Sequence, residues 1–230
     1  MNGNKYNLPE AFLANLDKIG KKIFLTEDDE KFFSDILIKN LDNDELAVFF
    51  FKNELLELNG AKLINMLLPN VKFSSFKEII EINGVNFVRN IFLILKIMDF
   101  IPKIKFTCLN NKEYLQHLFS VGVTANLIVD FIDADFFKKD TPDVYFLSGM
   151  VHDLGRVIFE LVCPLEFKKA IDLSKKEHIN LFKAEKDIIG LDHTELAVWL
   201  SEKFYLSYDI RQAIRRHHDP FASMPAFRNI

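Results

Sequence analysis

Apolar residues recur at intervals of three and four along most of this 230-residue chain, and no other feature of the sequence constrains the fold as strongly. The pattern begins with Phe32, Phe33, Ile36 and Leu37 and returns in segment after segment as far as Ile214. No sustained two-residue alternation of the strand type and no repeat of solenoid length interrupts it. The sequence therefore predicts an all-α protein built as a multi-helix bundle.

Pairs of asparagine and glycine divide the first part of this pattern. Two helices are predicted before the Asn59–Gly60 pair, the first of them from Glu30, and the pair is predicted to end the second. A short helix, Ala61–Leu68, comes next. The Asn83–Gly84 pair then separates another short helix from a long apolar one, Val85–Phe100.

The stretch Pro102–Lys112 has no sustained period, so it is the predicted connection between two halves of the chain. Residues 1–230 are predicted to form a single domain, with an N-terminal helical subdomain over 1–101 and a second helical core over 111–230. The helices predicted in the second core are Glu113–Ile132, a helix from Thr141 to His152, Val157–Leu161, Glu166–His178, Leu181–Ile189, His193–Phe204 and Asp209–His217.

Charge and hydropathy argue against two classes of partner. With 29 basic and 33 acidic residues, the net charge of -4 creates no field that would attract nucleic acid, so nucleic-acid binding is not expected. The longest apolar stretch, Phe92–Ile101, contains Lys96 and Asp99 and is shorter than the roughly 20 residues that a membrane span requires. Neither nucleic acid nor a membrane is a predicted partner.

The cysteine content and the N-terminus indicate the compartment. Only Cys108 and Cys163 are present, and they are far apart in sequence, which fits a reducing environment better than a secreted disulfide framework. The polar segment Met1–Tyr6 lacks the basic and then apolar layout of a signal peptide. A cytoplasmic location is therefore expected.

The histidines are confined to the second half of the chain, since all six follow residue 116. Imidazoles and carboxylates on separate helices can converge on one metal ion inside a bundle. The alternative is that each histidine is a neutral side chain, hydrogen-bonded at a helix end. His178 follows two lysines and a glutamate on a charged face, so it is excluded from the predicted site.

A family resemblance rests on several motifs in this half. The segment Gly149–Arg156 reads GMVHDLGR and resembles the LLHDIGK signature of the HD superfamily. The segments Leu191–Ala197 and Ile214–Pro220, with Trp199 between them, narrow the resemblance to the HDOD group, the HD-related output domains of bacterial signalling proteins. The implied fold is a helical bundle of the HD and phosphodiesterase type.

The first half of the chain resembles the same group less closely. Leu8–Pro9 matches the usual start, and Ser75–Ile91 resembles the helix written SI..AI..LG...LRNL in that group. Lys52–Asn53 replaces the usual Asp-Pro, and Pro69–Val71 replaces the usual Ala-Asn-Ser. The resemblance covers about residues 8–220.

The resemblance also implies a site. In catalytic HD phosphohydrolases, histidines and aspartates hold one or two divalent metals that polarise a phosphate. Arg156 stands where the group usually has lysine, and its side chain is expected either to meet a phosphate-containing ligand or to form a surface ion pair with Glu160. By motif position, the candidate metal ligands in this chain are His117, His152, Asp153, His193, His217 and His218.

Three functions remain open at this point. The aspartate that usually closes the site in catalytic members has no counterpart, which favours a regulatory HDOD protein that binds a protein partner in a signalling pathway and retains the metal site without efficient turnover. The alternative is a metal-dependent phosphohydrolase acting on a nucleotide or cyclic dinucleotide. The third is a helical adaptor without metal. A divalent transition metal is the expected cofactor in the first two.

Overall fold

The computed structural model describes residues 54–72, 76–131 and 141–219, with the isolated positions 12, 16, 26–29, 31, 44, 45 and 48. Over this part of the chain there are nine α-helices, two 3-10 turns and no strand, so the all-α prediction is confirmed. The helices are α1 Glu54–Leu67, α2 Phe76–Phe100, α3 Asn111–Ile128, α4 Pro142–Val151, α5 Gly155–Val162, α6 Pro164–Glu177, α7 Leu181–Ile189, α8 His193–Lys203 and α9 Tyr208–Arg216.

Most predicted helices of the second half are present with ends that differ by a few residues, and Leu181–Ile189 agrees at both ends. Local chemistry explains the boundaries. The Asp192 side chain accepts hydrogen bonds from two backbone amides of the first turn of α8, and the Glu195 side chain completes a capping box. The hydroxyl of Ser207 caps α9 in the same way, and Pro164 occupies the first turn of α6.

The two asparagine and glycine pairs behave differently. Gly84 has φ 79° and ψ 170°, so α2 is kinked there as predicted, and the Asn83 amide donates to the carbonyl of Ile79 at 3.0 Å. The prediction for Asn59–Gly60 is wrong, because α1 continues through both residues. Gly60 is buried, which shows that this glycine lies within a packed helix and does not end one. The helices predicted from Glu30 lie largely outside the described residues.

The contacts divide the chain into two units. The first comprises Met1–Gly20, Lys105–Leu118 and Ser148–Ile230. In it, α6 packs on α7, and α8 packs on both α5 and α9. Its core contains fully or almost fully buried apolar side chains, which are Leu118, Met150, Leu154, Ile158, Phe159, Phe167, Leu196, Ile210 and Ile214.

The second unit comprises Lys21–Ile104 and Phe119–Leu147, with α1 packed on α2. Ile64, Phe87, Phe92 and Phe146 are buried in its core. The predicted subdomain boundary near 102–112 and the assignment of residues 1–230 to one domain remain predictions. Among the described helices, none is both long enough and apolar enough to cross a membrane.

Candidate metal centre

The structure brings all six predicted ligand residues together in the first unit. Their possible ligand atoms form two groups, and within each group these atoms lie within 4.8 Å of one another. Group A consists of Asp153, His193, His217 and His218, and group B consists of His117, His152 and Asp153. His178 is in neither group, since it is exposed at the end of α6 with the left-handed φ of 52°. Asp153 therefore joins the two groups.

The two carboxylate oxygens of Asp153 face different groups. Oδ1 lies 3.1 Å from Nε2 of His193 and 3.5 Å from Nε2 of His217. Oδ2 lies 3.4 Å from Nε2 of His117 and 3.5 Å from Nε2 of His152. The Asp153 side chain is only 3% exposed. Each oxygen is thus positioned to serve one group.

Burial alone would raise the pKa of Asp153, since a buried carboxylate loses its hydration. The facing imidazoles of His117, His193 and His217, together with the charge of Arg156, outweigh burial, and the pKa lies well below its usual range. Asp153 is therefore ionised throughout the physiological pH range.

His152 and His217 are positioned by the ends of helices. Each is the first residue after a helix, and its Nδ1–H donates to a carbonyl of the last turn. The acceptors are Gly149 at 2.7 Å and Ile214 at 2.8 Å. Because a carbonyl can only accept, Nδ1 of each ring carries a proton and Nε2 points inward. Burial lowers the pKa of His152 to about 4, so that ring is neutral at physiological pH.

His193 is positioned by a carboxylate that the sequence analysis did not select. Nδ1 of His193 donates to Oε2 of Glu185 at 2.5 Å, and the backbone amide of His193 donates to the same oxygen at 2.9 Å. The Glu185 side chain is completely buried. Burial would lower the pKa of His193, but the carboxylates of Asp153 and Glu185 raise it. In the sequence, Glu185 looks like an ordinary charged residue on the surface of α7. Only its burial in the structure identifies it as a residue that positions His193.

The remaining two histidines are the more accessible members. His218 is stacked on the ring of Phe182, and its Nε2 lies 2.9 Å from Nε2 of His193. Burial and the neighbouring His217 lower the pKa of His218 to about 4. The side chain of His117 is 48% exposed, and its Nε2 is 3.3 Å from Nε2 of His152. Group B therefore opens toward solvent through His117.

Arg156 does not form the predicted surface pair with Glu160. Its Nη1 donates to Oδ2 of Asp153 at 2.5 Å, three residues earlier on the same turn. Glu160 is buried and accepts from the backbone amides of the loop 107–109, at distances of 2.7 to 2.8 Å. This one of the two expectations for Arg156 was wrong because it considered only helical spacing, whereas the loop before α3 provides amides that need an acceptor.

Two further residues fix the backbone of the centre. The hydroxyl of Tyr114 donates to the carbonyl of Asp153 at 2.6 Å, and burial raises its pKa, so that it remains a donor. A Cβ on Gly155 would lie 1.9 Å from the carbonyl oxygen of His193. The close approach of α5 to the start of α8 therefore requires glycine at this position.

The donor atoms of the centre suit a transition metal. Oδ1 of Asp153 is buried and lacks a hydrogen bond of acceptable geometry, although two imidazole nitrogens are within 3.5 Å of it. Three of the five rings have their Nδ1–H held by an acceptor, which directs Nε2 inward. Imidazole nitrogens with one carboxylate oxygen are ligands that zinc and neighbouring transition metals accept. The residues present fit such an ion.

The family of this chain is shown by a direct match. A profile of the HDOD domain matches residues 69–220, which is more than half of the chain. The chain belongs to the HDOD domain family. No curated protein matches the chain at a significant level.

Three solved structures share the fold at low sequence identity. An HDOD domain protein of unknown function from Geobacter sulfurreducens superposes with a TM-score of 0.60 and 23% identity, over 95% of this chain and 66% of that one. A protein from Marinobacter aquaeolei VT8, provisionally assigned to signal transduction, gives a TM-score of 0.57 at 16% identity, over 95% of this chain and 45% of that one.

A protein from Shewanella amazonensis SB2B, provisionally called a phosphohydrolase, gives a TM-score of 0.55 at 14% identity, over 93% of this chain and 68% of that one. The chain thus spans about half to two thirds of the length of these three proteins. At these identities the likeness establishes the fold.

Proposed function

We propose that this chain is a regulatory HDOD protein of the cytoplasm that holds one divalent transition metal at the Asp153 centre and acts by binding a protein partner in a signalling pathway. The proposal of a metal site rests on one observation, which is the common orientation of the imidazoles around Asp153. Their Nε2 atoms point inward, and the Nδ1–H groups of three rings are bonded outward. A set of unrelated core histidines would have no reason to share that orientation.

The composition of group A supports a regulatory or structural metal over a catalytic one. Asp153, His193, His217 and His218 would provide four protein ligands, which completes the tetrahedral shell that zinc prefers. Catalytic zinc sites keep one position open for substrate or water, whereas structural sites are closed. The chemistry that such an ion supplies is charge stabilisation of Asp153 and cross-linking of α8 to the segments after α4 and α9.

The small number of carboxylates in the centre also supports a regulatory or structural metal over a catalytic one. Among the described residues, Asp153 is the one carboxylate in either group. Glu185 is a second buried carboxylate, but it is engaged with His193 and faces the outer side of that ring. In the described part of the centre, no second carboxylate therefore completes either group.

The second candidate is a metal-dependent phosphohydrolase acting on a nucleotide or cyclic dinucleotide. It is favoured by the exposure of His117, which would give a phosphate access to group B, and by the nearby guanidinium of Arg156. The name of the Shewanella protein points in the same direction for that protein. A helical adaptor without metal is the third candidate.

Elemental analysis of protein purified without chelator separates these candidates. Asp153→Asn is compared with Asp143→Asn, which changes a buried aspartate of the second unit in the same way. We expect near-stoichiometric metal in the wild type and in Asp143→Asn, and loss of metal in Asp153→Asn.

Phosphate release from phosphomonoesters, nucleotides and cyclic dinucleotides is then measured on the metal-loaded protein. We expect none above background. Release that disappears in Asp153→Asn would establish the phosphohydrolase instead. If the wild type contains no metal and Asp153→Asn folds unchanged, the adaptor is the correct description.

A further inference from the structure

The guanidinium of Arg156 lies between two buried carboxylates. Nη1 donates to Oδ2 of Asp153 at 2.5 Å, and Nε lies 3.9 Å from Oε1 of Glu185. The Arg156 side chain is 19% exposed, while the two acids are 3% and 0% exposed. A positive charge from the chain itself is therefore held inside this centre.

That charge is placed on one side of Asp153. The oxygen that Arg156 contacts, Oδ2, is the one that faces His117 and His152, whereas Oδ1 faces His193 and His217. Group A therefore keeps its carboxylate oxygen, and group B shares its oxygen with a cation that the chain itself supplies.

We propose that Arg156 takes the place of a second metal ion, so that the centre binds a single ion in group A while His117 and His152 remain without metal. This proposal rests on the proposed function and specifies the number of metal ions that the centre binds. Two like charges a few ångströms apart in a poorly solvated site repel strongly. A divalent ion in group B would have to displace the guanidinium from Oδ2 or remain beside it.

The stoichiometry bears directly on activity. Two-metal hydrolases use ions about 3.5–4 Å apart to stabilise the attacking and the leaving oxygen together. With the second position held by Arg156, this chain has no such pair of ions. A single ion in group A agrees with the regulatory role of the proposed function.

The test is a titration of the metal-free protein with Co²⁺ and Zn²⁺, followed by calorimetry and by elemental analysis after gel filtration. The wild type is compared with Arg156→Gln, which removes the charge but keeps a polar side chain. Arg211→Gln is the matched control, because Arg211 is also partly buried and lies near an acid, Glu202, at 3.8 Å in the same unit. We expect one ion per chain in the wild type and in Arg211→Gln.

In Arg156→Gln we expect a second ion, with binding at group B at least about tenfold tighter than in the wild type. Adding His117→Ala to Arg156→Gln should abolish that second ion and leave the first, which assigns it to group B. Two ions in the folded wild type, or one ion in both the folded wild type and folded Arg156→Gln, would overturn the proposal.

The outcomes also separate this proposal from the proposed function. Two ions in the wild type would refute the role of Arg156 and leave the metal centre intact. No ion in the wild type but one in Arg156→Gln that depends on His117 would support the role of Arg156 and refute the metal-loaded wild type. No ion in either would refute both. If Arg156→Gln does not fold, the number of ions bound by the wild type decides whether the proposal stands, since the proposal requires one ion per chain.

Discussion

Each of the two units buries a cluster of polar side chains, and the two clusters have little in common. The second unit buries Arg89, Asn90 and Asp143, of which Asn90 donates to Asp143 at 2.6 Å. Burial lowers the pKa of Arg89 and raises the pKa of Asp143, so the environment disfavours the charge on both. In the first unit, imidazoles and Arg156 surround Asp153 and lower its pKa despite burial.

The difference shows that burial of polar groups does not by itself make a site. The second cluster contains no imidazole, and its atoms satisfy one another only in part, since Nε of Arg89, Oδ1 of Asn90 and Oδ1 of Asp143 lack hydrogen bonds. The first cluster presents several imidazole Nε2 atoms to one carboxylate, and three of these rings have Nδ1 bonded to an acceptor elsewhere. Convergent lone pairs, held by a surrounding set of acceptors, are what a metal requires.

The largest effect is expected from Gly155→Ala. The added Cβ would overlap the carbonyl of His193, so α5 and α8 must separate, which we expect to cost about 1–3 kcal/mol or more of the free energy of unfolding and to abolish tight metal binding. The measurements are urea denaturation and metal titration.

Gly84→Ala in the second unit is the matched control. Its Cβ would meet no atom within 4 Å, but the φ of 79° is strained for alanine, which costs about 1–3 kcal/mol. Metal affinity should be unchanged in this variant. Equal loss of metal binding in both variants would mean that stability, and not the approach of α5 to His193, controls the centre.

An intermediate effect is expected from Glu185→Gln. The amide keeps the shape of the side chain but removes the charge that holds Nδ1–H of His193, so metal affinity should fall about 10- to 100-fold. The dissociation constant is measured by competition with a chromophoric chelator.

Glu160→Gln provides the comparison, since Glu160 is also buried but binds only backbone amides of the loop 107–109. We expect it to lose about 1–3 kcal/mol of stability and to keep its metal affinity. If Glu185→Gln binds metal as tightly as the wild type, Glu185 does not position His193.

The smallest effect concerns pH and Asp143. Burial raises the pKa of Asp143 in the folded state. The folded protein therefore binds the proton of Asp143 more tightly than the unfolded chain does. This contribution to stability is fully present below the ordinary aspartate pKa, and it is lost as the pH rises through the raised value.

The free energy of unfolding of the wild type should therefore decline relative to that of Asp143→Asn as the pH is raised from about 4 to 7. Urea midpoints at several pH values measure the difference. A constant difference between the two proteins would show that the pKa of Asp143 is not raised, and that the cluster tolerates the charge.

Much of the fold and of the centre could be predicted from the sequence. The three- and four-residue spacing established the helices, and the positions of His152 and Asp153 within a recognisable motif identified the candidate ligands. The prediction of a helix break at Asn59–Gly60 was wrong because a glycine inside a helix costs only about 1 kcal/mol, which burial of the helix can offset.

The supporting residues could not be predicted in the same way. Glu185 and Glu160 are both glutamates on helices, and nothing in their local sequence distinguishes one that holds His193 from one that holds a loop. One of the two partners expected for Arg156, Glu160, was wrong, because helical spacing alone does not distinguish Glu160 from Asp153. Which group each of these charged side chains bonds depends on which donors and acceptors from distant segments need a hydrogen-bond partner.

The sequence by itself determined the helical class, the family and the identity of the candidate ligands, because periodicity and short motifs are local properties of the chain. Only the tertiary structure decided that Asp153 divides its two oxygens between the two groups, that Arg156 occupies one of those oxygens, and that Glu185 orients His193. These relations arise where segments far apart in sequence come within hydrogen-bond distance, and burial then makes each unpaired charge costly enough to fix its partner.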